Sequence, residues 1–107
     1  MLKTLQQIKD ANEGAGLKWF SPGAMRYFGS RISGKVYPVE NGALFVTSEQ
    51  LISASFSRAR KYSVHFCSDD GEIRTVGEFQ AYRTLREAQQ QAKKLAATWK
   101  EEDADHA

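Results

Sequence analysis

The sequence predicts an α+β protein, with two N-terminal helices, an antiparallel four-strand meander and a long C-terminal helix packed on the sheet. Three observations lead to this prediction. A Ser-Pro pair at residues 21–22 is typical of a helix start. Asn-Gly at 41–42 and Asp-Gly at 70–71 are typical of hairpin turns. The Thr-x-x-Glu spacing at 84–87 is that of a capping box.

The first helix is predicted from apolar residues that recur every three positions, at Leu2, Leu5 and Ile8. Gly14 and Gly16 remove helix preference and end it. The second helix begins after Ser21, because serine can accept a backbone hydrogen bond there and proline at the first helical position loses none.

An alternation with a period of two predicts two hairpins. In the first, residues 35–39 pair with residues 43–47. Because proline has no amide donor, Pro38 places its strand at a sheet edge or lies at the end of that strand. Residues 48–59 are rich in serine and predict a connecting loop. In the second hairpin, the inward face is predicted to consist of Tyr62, Val64 and Phe66 against Ile73 and Phe79.

The C-terminal helix is predicted to begin at Thr84, whose hydroxyl meets the amide of Glu87 while the Glu87 carboxylate reaches back to the amide of Thr84. Its apolar face comprises Leu85, Ala88, Ala92, Leu95, Ala96 and Trp99. We expect the helices to cover one face of the sheet.

The chain has 107 residues, of which 41% are hydrophobic and 26% are charged. These fractions exclude disordered, collagen-like and membrane-spanning classes. Six Phe, four Tyr and two Trp can fill a core without disulfides or a structural metal. We therefore expect residues 1–100 to form a single domain and residues 101–107 a flexible acidic tail.

The net charge of +2 conceals an uneven distribution. Residues 1–100 contain 15 basic and nine acidic side chains, a net charge of +6, whereas residues 101–107 contain four acids. A body of this charge favours an anionic partner at low salt. The same charge also promotes solubility without any specific partner.

Cys67 is the only cysteine, so neither an internal disulfide nor a zinc site built from cysteines can form, which suits a reducing cytosol. No apolar run has the length of a signal peptide or a membrane span, so we expect a cytoplasmic protein that does not insert in a membrane. No phosphate loop, nucleophile elbow, zinc-ligand or dinucleotide motif occurs. We expect no cofactor and no metal.

A catalytic interpretation rests on His65 and Cys67, which share one face of a predicted strand. Two such side chains lie about 7 Å apart, too far for a direct hydrogen bond. A small enzyme with a His/Cys site is therefore the weakest alternative, and a non-enzymatic protein is expected.

Cations interleave with aromatic residues between residues 18 and 37, and a second basic cluster occupies residues 58–61. This composition is used where bases stack and phosphates pair, and it also serves protein interfaces. The competing interpretation is an aromatic core beside a solvated loop. The candidate binding residues are Trp19, Arg26, Tyr27, Arg31, Lys35, Arg58, Arg60 and Lys61.

Residues 19–32, 43–49, 62–66 and 70–80 together resemble a set of small uncharacterised proteins of tailed bacteriophages and prophages. The resemblance implies an accessory protein of the bacterial host cytoplasm that binds and blocks defence machinery, including CRISPR effectors. It carries no catalytic residues to this chain.

The helix bearing residues 93–97 also resembles that of the double-stranded RNA-binding domain. The chain departs from that domain in having two leading helices and four predicted strands, and its lysine pair lies deep in the helix instead of at its start. No RNA-binding residues are carried over.

The leading hypothesis is thus a phage-encoded, anti-CRISPR-like binding protein that inhibits a bacterial defence or nucleic-acid-processing complex without catalysis. Its partner would be a bacterial host protein or a protein–nucleic-acid complex. The alternative is direct nucleic-acid binding through the basic aromatic surface.

Overall fold

The computed structural model describes residues 2–27, 30–50 and 59–100. Within them the elements follow the predicted order of two helices, four strands and one helix. They are α1 (Leu5–Gly14), α2 (Pro22–Tyr27), β1 (Arg31–Val39), β2 (Gly42–Glu49), β3 (Lys61–Ser68), β4 (Ile73–Val76) and α3 (Leu85–Ala97). The predicted tail, residues 101–107, and most of the predicted loop, residues 51–58, lie outside the described residues.

The four strands form one antiparallel sheet in the order β1-β2-β3-β4, which confirms the predicted meander. Asn41 adopts a positive φ of 67° at the first turn, as the Asn-Gly pair predicts. Strand β1 is an edge strand and accommodates Pro38. It begins at Arg31 instead of Lys35, because pairing with β2 continues beyond a register shift between Ile32 and Val36.

Helix α3 covers one face of the sheet and contacts β1, β2 and β3. Val46, Val64 and Phe66 pack there against Ala88 and Ala92. The Trp99 ring lies 5.0 Å from that of Phe66 and closes the end of this core. Leu85 is 39% exposed, so its predicted place on the buried face of the helix is wrong. It lies in the first turn, beyond the apolar cluster.

The opposite face is covered by the N-terminal segment, so the expectation of helices on one face is wrong. Leu2 and Ile8 pack there on Ala43, Phe45 and Cys67. As a result all eight residues of β2 are buried. A strand covered on both faces buries successive side chains in two separate cores.

The predicted inward face of the second hairpin is wrong at two positions. Ile73 pairs with Cys67 and packs in the core on the α1 side, whereas Val76, opposite Val64, faces α3. Phe79 follows the end of β4 and is 44% exposed. The physical reason is that both faces of this hairpin are covered. Apolar side chains are therefore found at positions that face either side of the sheet.

Two helix starts are fixed by side-chain caps. Thr84 accepts a hydrogen bond from the Glu87 amide at 3.1 Å, as predicted, but the Glu87 carboxylate accepts from the amide of Arg83 instead of that of Thr84. Thr4 and Gln7 form a complete capping box at α1, which the sequence analysis missed.

Buried Asn12 joins α1 to the turn between β3 and β4. Its amide nitrogen donates to the Gly71 carbonyl oxygen at 2.8 Å, and its Oδ1 accepts from the Trp19 backbone amide at 3.1 Å. Gly71 has a φ of 92°, and a Cβ there would overlap the Ala11 carbonyl, so only glycine permits this approach. Asn12 therefore fixes both the β3–β4 turn and the aromatic segment that follows α1.

We predict that Asn12→Ala lowers the free energy of unfolding by about 2 kcal/mol, because the buried Gly71 carbonyl and the part-buried Trp19 amide lose their partner. Urea unfolding followed by circular dichroism measures this. Gln6→Ala is the control, since it removes only an exposed side-chain hydrogen bond to Asp10 and is expected to cost less than about 0.5 kcal/mol. Equal effects of the two substitutions would contradict the role of Asn12.

Candidate functional site

The two ends of the sheet carry opposite charge. The β1–β2 and β3–β4 turns meet at one end, where the Asp69 amide donates to the Asn41 carbonyl at 2.9 Å. The exposed acids of this end are Glu40, Asp69, Asp70 and Glu72. Pairing of Arg31 with Ser48 and of Lys61 with Glu49 defines the other end.

This second end is the basic end, and α3 begins beside it. Arg31, Lys61, Arg83 and Arg86 are exposed there, and Arg60 is half-buried. Its acids are buried Glu49 and exposed Glu78 and Glu87. Five of the described cations therefore lie at this end of the sheet, together with three acids.

A groove of about 210 Å³ lies at the basic end, on the α3 side of the sheet. Arg31 and Arg60 line it together with Ser48, Tyr62 and Leu85, and its described lining contains no carboxylate. Arg60 is held by Ser48, since its Nη1 donates to the serine carbonyl at 3.2 Å and to the hydroxyl at 2.9 Å. We call this the basic groove.

The structure brings together three of the candidate binding residues, Arg31, Arg60 and Lys61, at one sheet end. Arg26 is exposed in the last turn of α2. Lys35 is exposed four residues further along β1, with its Nζ 5.6 Å from the centre of the Tyr37 ring. Arg58 and the side chain of Tyr27 lie outside the described part of the chain.

Trp19 lies on the α1 side of the sheet and is half-buried. Its ring centre is 5.8 Å from that of Phe45 and 5.2 Å from that of His65. It therefore belongs to the core, as the competing interpretation proposed, and it also forms one wall of a cavity.

A buried polar network lies beneath Trp19, on the same face. Thr47 Oγ1 donates to Glu49 Oε1 at 2.9 Å and lies 2.7 Å from His65 Nε2. Thr75 Oγ1 lies 3.2 Å from His65 Nδ1. Glu49 and His65 are each 2% exposed. Thr47, Glu49 and Thr75 were not among the residues predicted for a site.

The direction of these hydrogen bonds specifies the tautomer of His65. Because Thr47 donates its single hydroxyl proton to Glu49 Oε1, its oxygen accepts from His65 Nε2–H. Nδ1 is then the acceptor for the Thr75 hydroxyl. Burial lowers the pKa of His65 to about 4, so the ring is neutral near pH 7 and its 4.0 Å approach to Glu49 is not an ion pair.

Glu49 is the unusual member of the network. Burial raises the pKa of its carboxyl, and the hydroxyls of Thr47 and Ser63 and the charge of Arg60 oppose that shift. Its Oε2 is buried and makes no hydrogen bond of standard geometry with the described residues, although the Ser63 hydroxyl acts on the same carboxyl. A buried carboxylate oxygen without a hydrogen bond destabilises the folded state. Such groups are rare in proteins, and this one marks Glu49 as a candidate functional residue.

Glu49 lines a cavity of about 180 Å³ on the α1 side of the sheet. The other walls come from elements that the sequence does not place near each other, and they include Trp19, Met25, His65, Thr75 and Phe79. Gln80 fixes the segment that carries Phe79, because its backbone amide donates to Ser63 Oγ at 2.7 Å and its side-chain amide donates to the Glu49 carbonyl at 3.1 Å. We call this the Glu49 cavity.

A signal for the network exists in the sequence. The residues at positions 47, 49, 63, 65 and 75 are all polar. The strand register places all five side chains on the same face of the sheet. Without that register, Thr47 and Glu49 resemble the polar end of a strand, and the adjoining residues 48–59 were predicted as a loop.

His65 and Cys67 do not contact each other through the imidazole nitrogens, both of which face threonine hydroxyls. The Cys67 thiol donates to the Ser68 carbonyl at 3.4 Å. Burial, and then the charge of Asp69, raises the pKa of this thiol to about 11, which opposes formation of a thiolate near neutral pH. The geometry therefore gives the proposed thiolate–imidazole pair no support.

Among the described residues, no group of three or more His, Cys, Asp or Glu side chains is arranged to hold a metal ion. A search of the same residues finds no helix with the length and apolar character needed to cross a bilayer.

The fold and these two concavities define a small α+β protein with an antiparallel sheet covered on both faces, a basic groove at one sheet end and an acidic cavity beside it. Residues 4–93 match a family described as Family of unknown function (DUF7447), and the chain belongs to that family. The comparison with curated proteins and the comparison with solved structures gave no match.

We predict that His65→Gln flattens the pH dependence of stability. Unfolded histidine has a pKa of 6.5 and His65 one of about 4, so the unfolded state binds more protons between these values and stability falls as the pH is lowered. From about pH 7.5 to about pH 5 this costs the native protein about 2 kcal/mol. Glu49, with its raised pKa, acts in the opposite direction in both proteins.

Urea unfolding at several pH values measures the difference. Glutamine retains an amide N–H for Thr47, so the variant tests titration and not the loss of a donor. Parallel stability curves for the native protein and the variant would show that His65 does not titrate as described.

Proposed function

We propose that this protein is a non-enzymatic binding protein whose partner is single-stranded nucleic acid. The observation that carries the proposal is the basic groove, which Arg31 and Arg60 both line and whose described lining contains no carboxylate. Exposed Arg31 can bind phosphate oxygens in a bidentate manner, and half-buried Arg60, which Ser48 holds, adds positive charge to the same groove.

The surroundings of the groove support the same partner. Lys61, Arg83 and Arg86 are exposed at this sheet end, whereas the exposed acids of the two turns are at the other. A phosphate backbone approaching the molecule is therefore attracted to one end and repelled by the other. Such polarity orients a charged polymer before any specific contact forms.

The biological setting is proposed from the resemblance to small proteins of tailed bacteriophages. In the cytoplasm of a bacterial host, a protein of this kind would block a defence or nucleic-acid-processing complex by occupying the strand on which the complex acts. The basic groove supports this setting only through its suitability for nucleic acid.

We predict that the double variant Arg31→Glu, Lys61→Glu binds a labelled single-stranded oligonucleotide at least about tenfold more weakly than the native protein at about 50 mM salt. Both side chains are exposed, so the fold should persist, and circular dichroism checks this. Fluorescence anisotropy at about 50 and about 200 mM salt gives the affinity and its salt dependence. The slope of log K against log salt should fall by about 1.4, since about 0.7 is lost per phosphate contact.

The matched control is Lys93→Glu, Lys94→Glu. It makes the same change in net charge at exposed positions that lie about 12 Å along α3 from its start. It should weaken binding less than about threefold. If both double variants weaken binding equally, net charge and not the basic groove is responsible, and if the native protein binds no oligonucleotide at low salt the proposed function is wrong.

A further inference from the structure

The basic groove is built from three neighbouring strands and the start of α3. Arg31 pairs with Ser48, and Ser48 pairs with Tyr62, so their side chains form one row across the sheet. Ser48 lies two residues from Val46, which packs in the core beneath α3, so the row is on the α3 face. Leu85, the first residue of α3, lines the groove from the helix. The groove is therefore a concavity between the end of the sheet and the first turn of this helix.

The charged groups of the groove are donors of hydrogen bonds. Arg31 is exposed, and its guanidinium forms neither an ion pair nor a hydrogen bond with any residue that the structure describes. Arg60 adds a second positive charge and donates to Ser48. Thr47 also borders the groove, but its hydroxyl proton is donated to Glu49 on the other face. An anion that enters the groove thus finds cations and no opposing carboxylate in the described lining.

Two serine hydroxyls in the lining accept hydrogen bonds and retain a proton to donate. Ser48 Oγ accepts from Arg60 Nη1 at 2.9 Å, and Ser33 Oγ accepts from the Lys35 amide at 3.4 Å and from Gln89 Nε2 at 3.3 Å. Neither serine donates its proton in a hydrogen bond of standard geometry to another residue of the described ranges. The ligand that complements these groups is negatively charged and rich in acceptor oxygens.

The size of the groove limits how much of a strand it holds. Its volume of about 210 Å³ corresponds to about seven water molecules at the volume that each occupies in the liquid. This is room for a phosphate group and the sugar that carries it. A strand that passed through would need space for a nucleotide on each side of the bound phosphate, whereas a strand that ends there needs space on one side only. A terminal phosphate therefore suits the groove better than an internal one.

We propose that the basic groove binds the terminal phosphomonoester of a single strand, with Arg31 and the hydroxyls of Ser33 and Ser48 donating to the phosphate oxygens. This inference rests on the proposed function and specifies which part of the strand is recognised. A phosphomonoester has three free oxygens and a charge of about −1.5 to −2 near pH 7. An internal phosphate has two free oxygens and a single charge. A groove whose free polar groups are donors favours the ligand with more acceptors and more charge.

The apolar part of the lining suits the nucleoside that carries the phosphate. Tyr62 and Ile32 are half-buried, and Leu85 is 39% exposed although it lies in the first turn of a helix that packs on the sheet. A sugar and base that follow the phosphate can pack against these side chains. The exposed position of Leu85, which the apolar pattern of α3 did not predict, thus has a role in the groove.

The experiment compares three oligo(dT) strands of equal length that carry a 5′-phosphate, a 3′-phosphate or hydroxyls at both ends. The fluorescent label is on an internal base, which leaves both ends free, and anisotropy near pH 7.5 gives the affinities. A terminal phosphate should strengthen binding about tenfold relative to the strand with two hydroxyl ends. The strand that shows the preference identifies the end that the groove recognises.

Three variants test which residues cause the preference. Arg31→Gln should reduce it to less than about twofold, because it removes the unpaired guanidinium. Arg86→Gln is the matched control, since Arg86 is exposed at the same sheet end but is not among the residues that line the groove. It should weaken binding of all three strands alike and retain the preference. Ser48→Ala keeps the net charge and should lower the preference at least about threefold, because a donor and the support of Arg60 are lost. Circular dichroism verifies that all three variants are folded.

A titration with mononucleotides tests the groove without a strand. The probes are thymidine 5′-monophosphate, thymidine 3′-monophosphate and thymidine, and the readout is the side-chain Nε–H signals of the arginines in a ¹H–¹⁵N spectrum. One of the monophosphates should shift the signals of Arg31 and Arg60, and thymidine should not. Arg74 is the internal reference, because it lies on β4 beside Glu72 and outside the groove.

The outcomes separate this inference from the proposed function. Equal affinity for the three strands, or a preference that Arg86→Gln abolishes as fully as Arg31→Gln, overturns the terminal-phosphate assignment while nucleic-acid binding stands. If no strand binds, the proposed function fails, and the titration alone decides the groove. A monophosphate shift at Arg31 and Arg60 that spares Arg74 supports a phosphomonoester site, and its absence overturns the inference.

Discussion

Burial of both faces of β2 is the constraint on which the rest of the structure depends. All eight of its residues are buried, so alternate side chains enter two different cores and every polar side chain must find a partner inside the protein. Thr47 and Glu49 find theirs in each other and in His65. The second face is covered because Leu2 and Ile8 pack on Ala43, Phe45 and Cys67, and Asn12 fixes this segment by joining α1 to the β3–β4 turn and to the backbone of Trp19. The enclosure of the polar network thus depends on contacts made elsewhere on the same face of the sheet.

The same cover produces the candidate site. Trp19 follows α1 and packs on His65, while α2 contributes Met25 to the wall of the Glu49 cavity. A sheet with one exposed face would offer Glu49 to water, where its pKa would stay ordinary and its Oε2 would be hydrated. Enclosure removes that water and raises the pKa of the carboxyl. The cavity and the perturbed carboxyl therefore have one cause.

The features that the sequence could predict are those set by neighbouring residues. Asn41 fixes a turn through its own positive φ, Thr84 caps α3 through the amide of Glu87, and Pro38 lies in an edge strand because of its missing amide. The second covered face depends instead on a hydrogen bond between Asn12 and Gly71, which are 59 positions apart. No sequence pattern near either residue predicts this hydrogen bond. The position of Ile73 in the α1-side core and the burial of Glu49 therefore could not be predicted from the alternation of apolar residues. Of the candidate site, the cations Arg31, Arg60 and Lys61 were predictable from composition, whereas Glu49 and the threonines were not.

Strand parity explains how one sheet end carries two concavities of different chemistry. Ser48 and Glu49 are consecutive, and a strand directs consecutive side chains to opposite faces. Ser48 holds Arg60 in the basic groove, and Glu49 lines the cavity on the other side. A pairing slip of one residue between β2 and β3 would exchange the two faces, moving the carboxylate among the arginines and the serine into the cavity. The register that gives β2 its two cores therefore also keeps the Glu49 carboxylate out of the basic groove.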